Sequence, residues 1–438
     1  MDEAMTFPSP MAPTNTGKIF SLAELIDQAE MQNPDTREAW QSARAQAANL
    51  GLARSELYPT LAAVVLSQFS RGDVFSGDGF DHQEIQDNEG NLELNYTIVD
   101  FGARSGRISA AQAELIAANF SFNDVHRKII YEVEQAYYQL LNASGQLIAA
   151  GASLTNALAV QHAAEDRLDQ GLATLPDVLE ARSASAQAEY NLQAAIGAED
   201  IARGFLANAL GTSPLILIQV QSLDELKIPG SIPDTVDQGI KRALEQRPDL
   251  LQSLAEVDAA NAKVKEARSA YFPVLNLNAW GGGQNVYASQ DSLPSQHDKD
   301  LAGGVGLSLT WSLFDGGARK NRLAKARADV LADKASVNAT RNTVAQEVWT
   351  AYSNLQTAFH QRQSAAELLA SADQSYAAVL ESYNQGVRNL LDVTEAERVL
   401  AQARSTDVFA QTQVLSALAE LALQTGDAIQ NTTCRASP

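Results

Sequence analysis

The sequence predicts a mainly α-helical chain with transmembrane β-strands. A unit of helix, helix, strand, strand, long helix and long helix is present twice. Three identical subunits would pool their strands into a 12-stranded β-barrel, continued by an α-helical barrel that forms a coiled-coil tunnel. Three observations lead there. Landmarks recur at a fixed distance along the 438 residues: Asn33-Pro34-Asp35 returns 214 positions later as Arg247-Pro248-Asp249, and Leu57-Tyr58-Pro59 as Tyr271-Phe272-Pro273. Val99-Asp100-Phe101-Gly102-Ala103-Arg104 returns 215 positions later as Phe314-Asp315-Gly316-Gly317-Ala318-Arg319, and Gln170-Gly171 with Asp177-Val178 as Gln385-Gly386 with Asp392-Val393. A drift of one residue marks a duplicated unit and an internal pseudo-two-fold. The second observation is strict apolar–polar alternation at matching places in both copies. The third is a helical period that continues far beyond an ordinary helix.

Residues 1–19, rich in Pro, Ser and Thr, read as a flexible N-terminal segment, and the first repeat as 20–211. Ser21-Leu22-Ala23-Glu24 is a capping box, in which hydroxyl and carboxylate each take an amide of the first turn. Its helix runs to about Met31. Pro34 opens the next helix, where its missing N–H costs nothing, and Pro59 closes it. Strands are predicted over about 61–70 and 92–99, with a Gly-, Asp- and Asn-rich polar loop over 71–90. Leu92, Leu94, Tyr96 and Ile98 take one face, and Glu93, Asn95 and Thr97 the other. Long helices follow over about 103–170 and 177–210, with Gly171 and Pro176 at the turn and Gly211 at the end. The first would be roughly 100 Å long at 1.5 Å per residue. Leu147, Leu154 and Leu168, with Ala150, Ala157 and Ala164, read as a narrow heptad seam.

A linker over 212–233, with Pro214, Pro229 and Pro233, leads to the second repeat, 234–427. Helices fill about 234–270, strands about 274–280 and 303–313, and long helices about 318–384 and 388–424. Val305, Leu307, Leu309, Trp311 and Leu313 alternate with Gly306, Ser308, Thr310 and Ser312. Residues 428–438 form a C-terminal tail.

Four strands of about ten residues are long enough to cross a bilayer when tilted. Alone they leave two open edges, which hydrocarbon does not tolerate. Three copies give twelve strands, a suitable even number for a closed barrel. Alternation by itself also fits a small soluble sheet with one face on a core. The long helices favour the barrel, since a soluble sheet has no use for them. The alternative reading is a non-membrane coiled-coil scaffold or adaptor protein.

The formal charge is −21 and the isoelectric point about 4.6, which excludes nucleic acid as a partner and describes a solvated surface. Cys434 is the single cysteine, so no intramolecular disulfide forms. The N-terminal stretch lacks an apolar h-region, so no signal peptide is visible and export is inferred on other grounds. His82, His126, His162, His297 and His360 show no metal-ligand spacing. Asp78, Asp81 and Asp87 lie in the polar loop without the calcium-loop pattern, and Gly281-Gly282-Gly283 lacks the phosphate-loop Lys and Ser/Thr. No nucleophile–base signature occurs. No cofactor, no metal and no enzymatic activity are expected.

From about residue 20 to 428 the chain resembles the TolC-type family of outer-membrane efflux and secretion ducts, the outer membrane factors. The resemblance rests on the duplicated plan and on the Leu57-Tyr58-Pro59, Tyr271-Phe272-Pro273, Val99-Asp100-Phe101-Gly102 and Leu313-Phe314-Asp315-Gly316-Gly317 stretches. It rests most on the turn motifs, Gln170 to Ala181 and Tyr383 to Ala396. It implies a homotrimer in outer-membrane lipid with a tunnel across the periplasm. This would be a passive exit duct of a tripartite efflux or type I secretion system. A periplasmic adaptor (membrane fusion) protein and an inner-membrane transporter of RND, ABC or MFS type are the implied partners. The chain lacks the N-terminal lipidation cysteine of some branches, and Cys434 stands at the wrong end to serve.

By the same resemblance, Asp177, Tyr383 and Arg388 match positions that latch the closed periplasmic tip. Asp392 and Glu395 match an acidic aperture ring, where the family often has Asp at the second place. Gly171, Leu172, Gly386 and Val387 fall at the tip turns where adaptors dock. Val160 and Leu380 replace polar latch partners of some members, so that inter-helix hydrogen bond is not expected here. The residues add physics of their own. Asp392 and Glu395, spaced i, i+3, share a helix face, and three subunits would bring six carboxylates to one axis. Arg388 lies one turn before Asp392, a spacing that equally describes an ordinary surface ion pair.

Overall fold

A computed structural model describes residues 19–77, 79–216, 218–226, 228–229, 235–291 and 293–427. The N-terminal segment before Ile19, Asp78, Pro233 and the tail with Cys434 lie outside them. The elements in order are β1 (Ile19–Phe20), α1 (Leu22–Gln32), α2 (Pro34–Ser55), β2 (Thr60–Ser76), β3 (Gly79–Val99), α3 (Ala103–Asp169) and α4 (Leu175–Ala209). They continue with β4 (Gln219–Val220), a 3-10 turn (Leu223–Glu225), α5 (Val236–Gln246), α6 (Pro248–Ser269), β5 (Val274–Gln290), β6 (Leu293–Thr310), α7 (Ala318–Asn384) and α8 (Leu390–Thr425). Two compact units result. One comprises 42–119 and 252–337, and the other 1–41, 120–251 and 338–438.

The first unit holds a four-stranded antiparallel sheet in the order β2-β3-β5-β6. Its strands are 17, 21, 17 and 18 residues long, well beyond the predicted ten or so. The expected loop over 71–90 is therefore strand, and so is most of its counterpart in the second copy. Asp81 and Asp87 sit on β3, and Gly281 to Gly283 lie in the middle of β5 rather than after a strand. Each arm supplies the other's backbone partners, from Thr60↔Asn95 up to Ser76↔Gly79. Gly, Asp and Asn composition cannot undo a ladder completed in this way.

The register sorts the sheet into two unlike faces. One face carries the rows Leu61–Leu94–Ala279–Val305, Ala63–Leu92–Gly281–Gly303 and Val65–Gly90–Gly283–Leu301, and below them Leu277 opposite Leu307 and Leu275 opposite Leu309. The next row up, Ser67–Asn88–Asn285–Lys299, is polar and ends the band. The band spans nine residues of β6, Leu301 to Leu309, which matches the requirement for a tilted strand to cross a bilayer. The opposite face carries Glu93, Asn95, Asn278, Glu89 with Asp300, and Asp87 with Asp298. The outer edges of β2 and β6 have no strand partner among the described residues.

The strand-to-helix joints repeat bond for bond. Asp100 Oδ2 accepts the Arg104 amide at 2.7 Å and its Nε at 3.1 Å, and Oδ1 accepts the Gly102 amide at 3.2 Å. Asp315 accepts the Arg319 amide and Nε at 2.9 Å each, and the Gly317 amide at 3.1 Å. Arg104 Nη2 donates to Ile98 O, and Arg319 Nη2 to Leu313 O, both at 3.1 Å. The copies differ at one residue. Phe101 takes φ 50° where the second joint has Gly316 at 65°, and it is the only non-glycine with positive φ among the described residues. Its ring stacks on Phe272, with centroids 5.4 Å apart.

In the second unit, Leu25, Val133, Tyr137, Leu140, Leu206 and Leu210 form an apolar core. The 212–233 segment joins that core through Ile218, Val220, Leu223 and Leu226, and β4 pairs in parallel with β1, so this stretch is more than a linker. The heptad seam of α3 holds at its alanines Ala157 and Ala164 and not at its leucines. Ser153, Ala157, Val160 and Ala164 are its buried residues, while Leu147, Leu154 and Leu168 are only partly covered. Small side chains let α3 and α8 approach closely: a Cβ on Gly145 would lie 2.5 Å from Val408 Cγ1. Polar side chains of α3 also donate to α8 carbonyls: Arg127 to Leu423 O at 2.8 Å, Gln135 to Ser416 O at 3.2 Å, and Gln146 to Ser405 O at 2.8 Å.

Burial pushes the Glu134 carboxyl on α3 up to about 7. A raised carboxyl favours the fold below its unfolded value of about 4.3, and that advantage is lost as pH climbs through the folded value. Glu134→Gln is therefore expected to stabilise the protein by about 1–3 kcal/mol at pH 8 and to change little at pH 4. Thermal melts followed by circular dichroism at the two pH values check this.

Candidate functional site

The two helical hairpins of the second unit end in turns built alike. After α3, the Gly171 amide donates to Leu168 O at 2.9 Å and the Leu172 amide to Arg167 O at 2.8 Å. After α7, Gly386 donates to Tyr383 O and Val387 to Ser382 O, both at 2.9 Å. These are Schellman closures, which need a left-handed residue. Gly171 at φ 72° and Gly386 at φ 78° supply it. Leu172 and Val387 follow at the apex, 68% and 75% exposed.

Each returning helix starts from a capping box. Asp177 Oδ2 accepts the Thr174 amide at 2.8 Å and its hydroxyl at 2.7 Å. Asp392 and Asn389 exchange side-chain and backbone bonds at 3.4 and 2.9 Å. The Thr174 hydroxyl, and then its amide, hold the Asp177 carboxyl below the usual carboxylate range. Both acids also suit the positive end of a helix dipole.

Behind the turns the hairpins share one apolar cluster: Val160 and Ala164 of α3, Val178 of α4, Tyr376 and Tyr383 of α7, and Val393 of α8. Leu380 packs against it, so Val160 and Leu380 contribute apolar contact where a polar pair was not expected.

Within one subunit the expected site residues are neighbours of the tip but do not bond to one another as a set. Asp177 is occupied with its own helix cap. Arg388 Nη1 lies 3.6 Å from Asp392 Oδ2, the ordinary i, i+4 pair. Glu395 meets Arg398 at 2.6 Å, and that hydrogen bond holds its carboxyl below the usual range. Tyr383 is buried. Its main partner is a residue that sequence reasoning passed over, Arg167. Arg167 Nη1 donates to Tyr383 O at 2.7 Å, and the guanidinium lies 4.4 Å from the ring centroid. The available signal was a cation in the last turn of α3, where it complements the helix dipole. A second link, Thr394 Oγ1 to Glu180 Oε1 at 3.5 Å, joins α8 to α4.

The fold and its exposed groups define a class. Among the described residues no helix is long and apolar enough to cross a membrane. The sheet carries an apolar band of strand length suited to a bilayer, and the helical hairpins end in capped turns. Such a chain is a subunit of a membrane-inserted β-duct with a helical extension.

A model of the outer membrane efflux protein family matches residues 25–212 and 239–427, and the chain belongs to that family. It is an outer-membrane efflux channel protein. It is 28% identical over 426 residues to protein CyaE of Bordetella pertussis, covering 96% of this chain and 86% of that one. It is 23% identical over 419 residues to outer membrane protein TolC of Escherichia coli, covering 92% and 82%. The solved outer membrane channel CmeC of Campylobacter jejuni shares its fold, with a TM-score of 0.78 at 20% identity over 94% of this chain and 88% of that one.

Because the Asp177 carboxyl is held low, its contribution to the α4 cap is complete above the unfolded value of about 3.9 and is lost as pH falls through the folded value. Amide exchange at 174–178, corrected for intrinsic rate, is expected to quicken below about pH 4. In Asp177→Asn this acid-dependent step is absent.

Proposed function

We propose that three copies of the chain close their sheets edge to edge into a 12-stranded barrel in outer-membrane lipid, and that the helical hairpins form a periplasmic tunnel gated at their tips. The observation that carries this reading is the open sheet, with an apolar band on one face, carboxylates and amides on the other, and two outer edges without a strand partner among the described residues. Edge pairing between β6 of one subunit and β2 of the next satisfies every backbone group that hydrocarbon would otherwise leave bare. Three two-carboxylate sets from Asp392 and Glu395 would then surround the axis and favour cations. In the assembled tip Arg388 would exchange its pair with Asp392 for Asp177 of a neighbouring subunit, with Tyr383 packed behind them. Exposed pairs of about 0–1 kcal/mol, repeated three times, suit a latch that a docking protein can release. A periplasmic adaptor would meet Leu172 and Val387 at the apices and connect the duct to an inner-membrane transporter of RND, ABC or MFS type. The duct itself is passive.

Native mass measurement in mild detergent is expected to give three chains, and a monomer would end this reading. Asp177→Ala combined with Arg388→Ser is expected to raise single-channel conductance in planar bilayers. Unchanged conductance would remove these residues from the latch.

A further inference from the structure

Each subunit has to hold its own two hairpins together before subunits can latch to one another. Along α3 the side-chain bonds to α8 carbonyls run from Arg127 with Leu423 to Gln146 with Ser405. Nearer the tip the hairpins share the apolar cluster, which resists separation but is non-directional. The polar candidates there are mostly spent elsewhere: Asp177 caps α4, Arg388 pairs along its own helix, and Glu395 pairs with Arg398. Thr394 with Glu180, at 3.5 Å, sits at the limit of a hydrogen bond.

Arg167 is different in kind. Its Nη1 donates to Tyr383 O at 2.7 Å, its Cζ lies over the Tyr383 ring 4.4 Å from the centroid, and Nη2 would lie 3.8 Å from a Cβ on Gly386. The same carbonyl accepts the Gly386 amide, so the guanidinium joins the closure of α7 itself. Arg167 also offers its own carbonyl to the closure of α3. One delocalised cation from the last turn of α3 therefore meets the negative end of α7 and lies over an aromatic ring, two uses that Lys does not combine in the same way.

We infer that Arg167 is the positioning residue that straps the α3–α4 hairpin to the α7–α8 hairpin within each subunit and so sets the closed rest position of the gate. The inference rests on the gating reading above. Tyr383 takes part through its ring and its main-chain carbonyl, not through its hydroxyl.

The test compares variants of the full chain in planar bilayers, after trimer mass and helical signal are shown unchanged. Arg167→Gln is expected to raise the open-state occupancy about fivefold, the lower end of ordinary coupling between sites. Arg167→Lys, which keeps the charge without the planar stack, falls between it and the parent and serves if the Gln variant fails to assemble. If Asp177→Ala with Arg388→Ser opens the channel while Arg167→Gln and Arg167→Lys do not, the strap is wrong and the gate stands. If no tip variant changes conductance, the gate reading falls and the strap with it.

Discussion

A strand in hydrocarbon must hand each backbone N–H and C=O to a neighbouring strand, and this chain cannot do so alone. Its four strands satisfy one another across three ladders, and the outer sides of β2 and β6 have no strand partner among the described residues. Everything else in the design is consistent with that constraint. The continuous apolar band sits on one face, while the carboxylates Glu89, Glu93, Asp87, Asp298 and Asp300 gather on the other beside Val64, Leu66 and Trp280, so the two faces differ before any partner is present. The duplication gives each subunit two hairpins of comparable length, which lets a short chain contribute a broad arc of wall. The helices leave the sheet through joints fixed by Asp100 with Arg104 and Asp315 with Arg319, so strand direction is passed on to helix direction.

The helical portion answers a different constraint. Helices as long as α3 and α7, at 67 residues each, cannot be held by one compact core. They are held instead by close approach of small side chains, as at Gly145, and by side-chain donors that reach helix carbonyls. Such bonds are directional and fix rotation as well as distance. Apolar clusters then carry most of the burial at the core around Tyr137 and at the tip around Tyr383.

Much of this was legible in the sequence where local physics decides. The capping box at Ser21, the glycines of the hairpin turns and the helical period of the long segments all act within a few residues of themselves. Strand length was not legible in the same way. The 71–90 stretch has the composition of a loop, and only pairing with a partner arm made it β. Of the heptad seam on α3, the small residues Ala157 and Ala164 are buried together with Val160, while its leucines are only partly covered. At the tip, the turns and acids could be placed from their motif. Arg167 could not, because its partner is a main-chain carbonyl 216 residues away, and a carbonyl leaves no trace in residue identity.

The two halves are not interchangeable. Where the first strand–helix joint has Phe101 wedged against Phe272, the second has Gly316 and no ring. The two joints share their Asp–Arg bonds, and Phe101 adds to one a ring contact that Gly316 does not supply to the other. Around an assembled ring, corners with and without that contact would therefore alternate, six in all but of two kinds. A wall that looks evenly built would carry a threefold rhythm, set by every second corner.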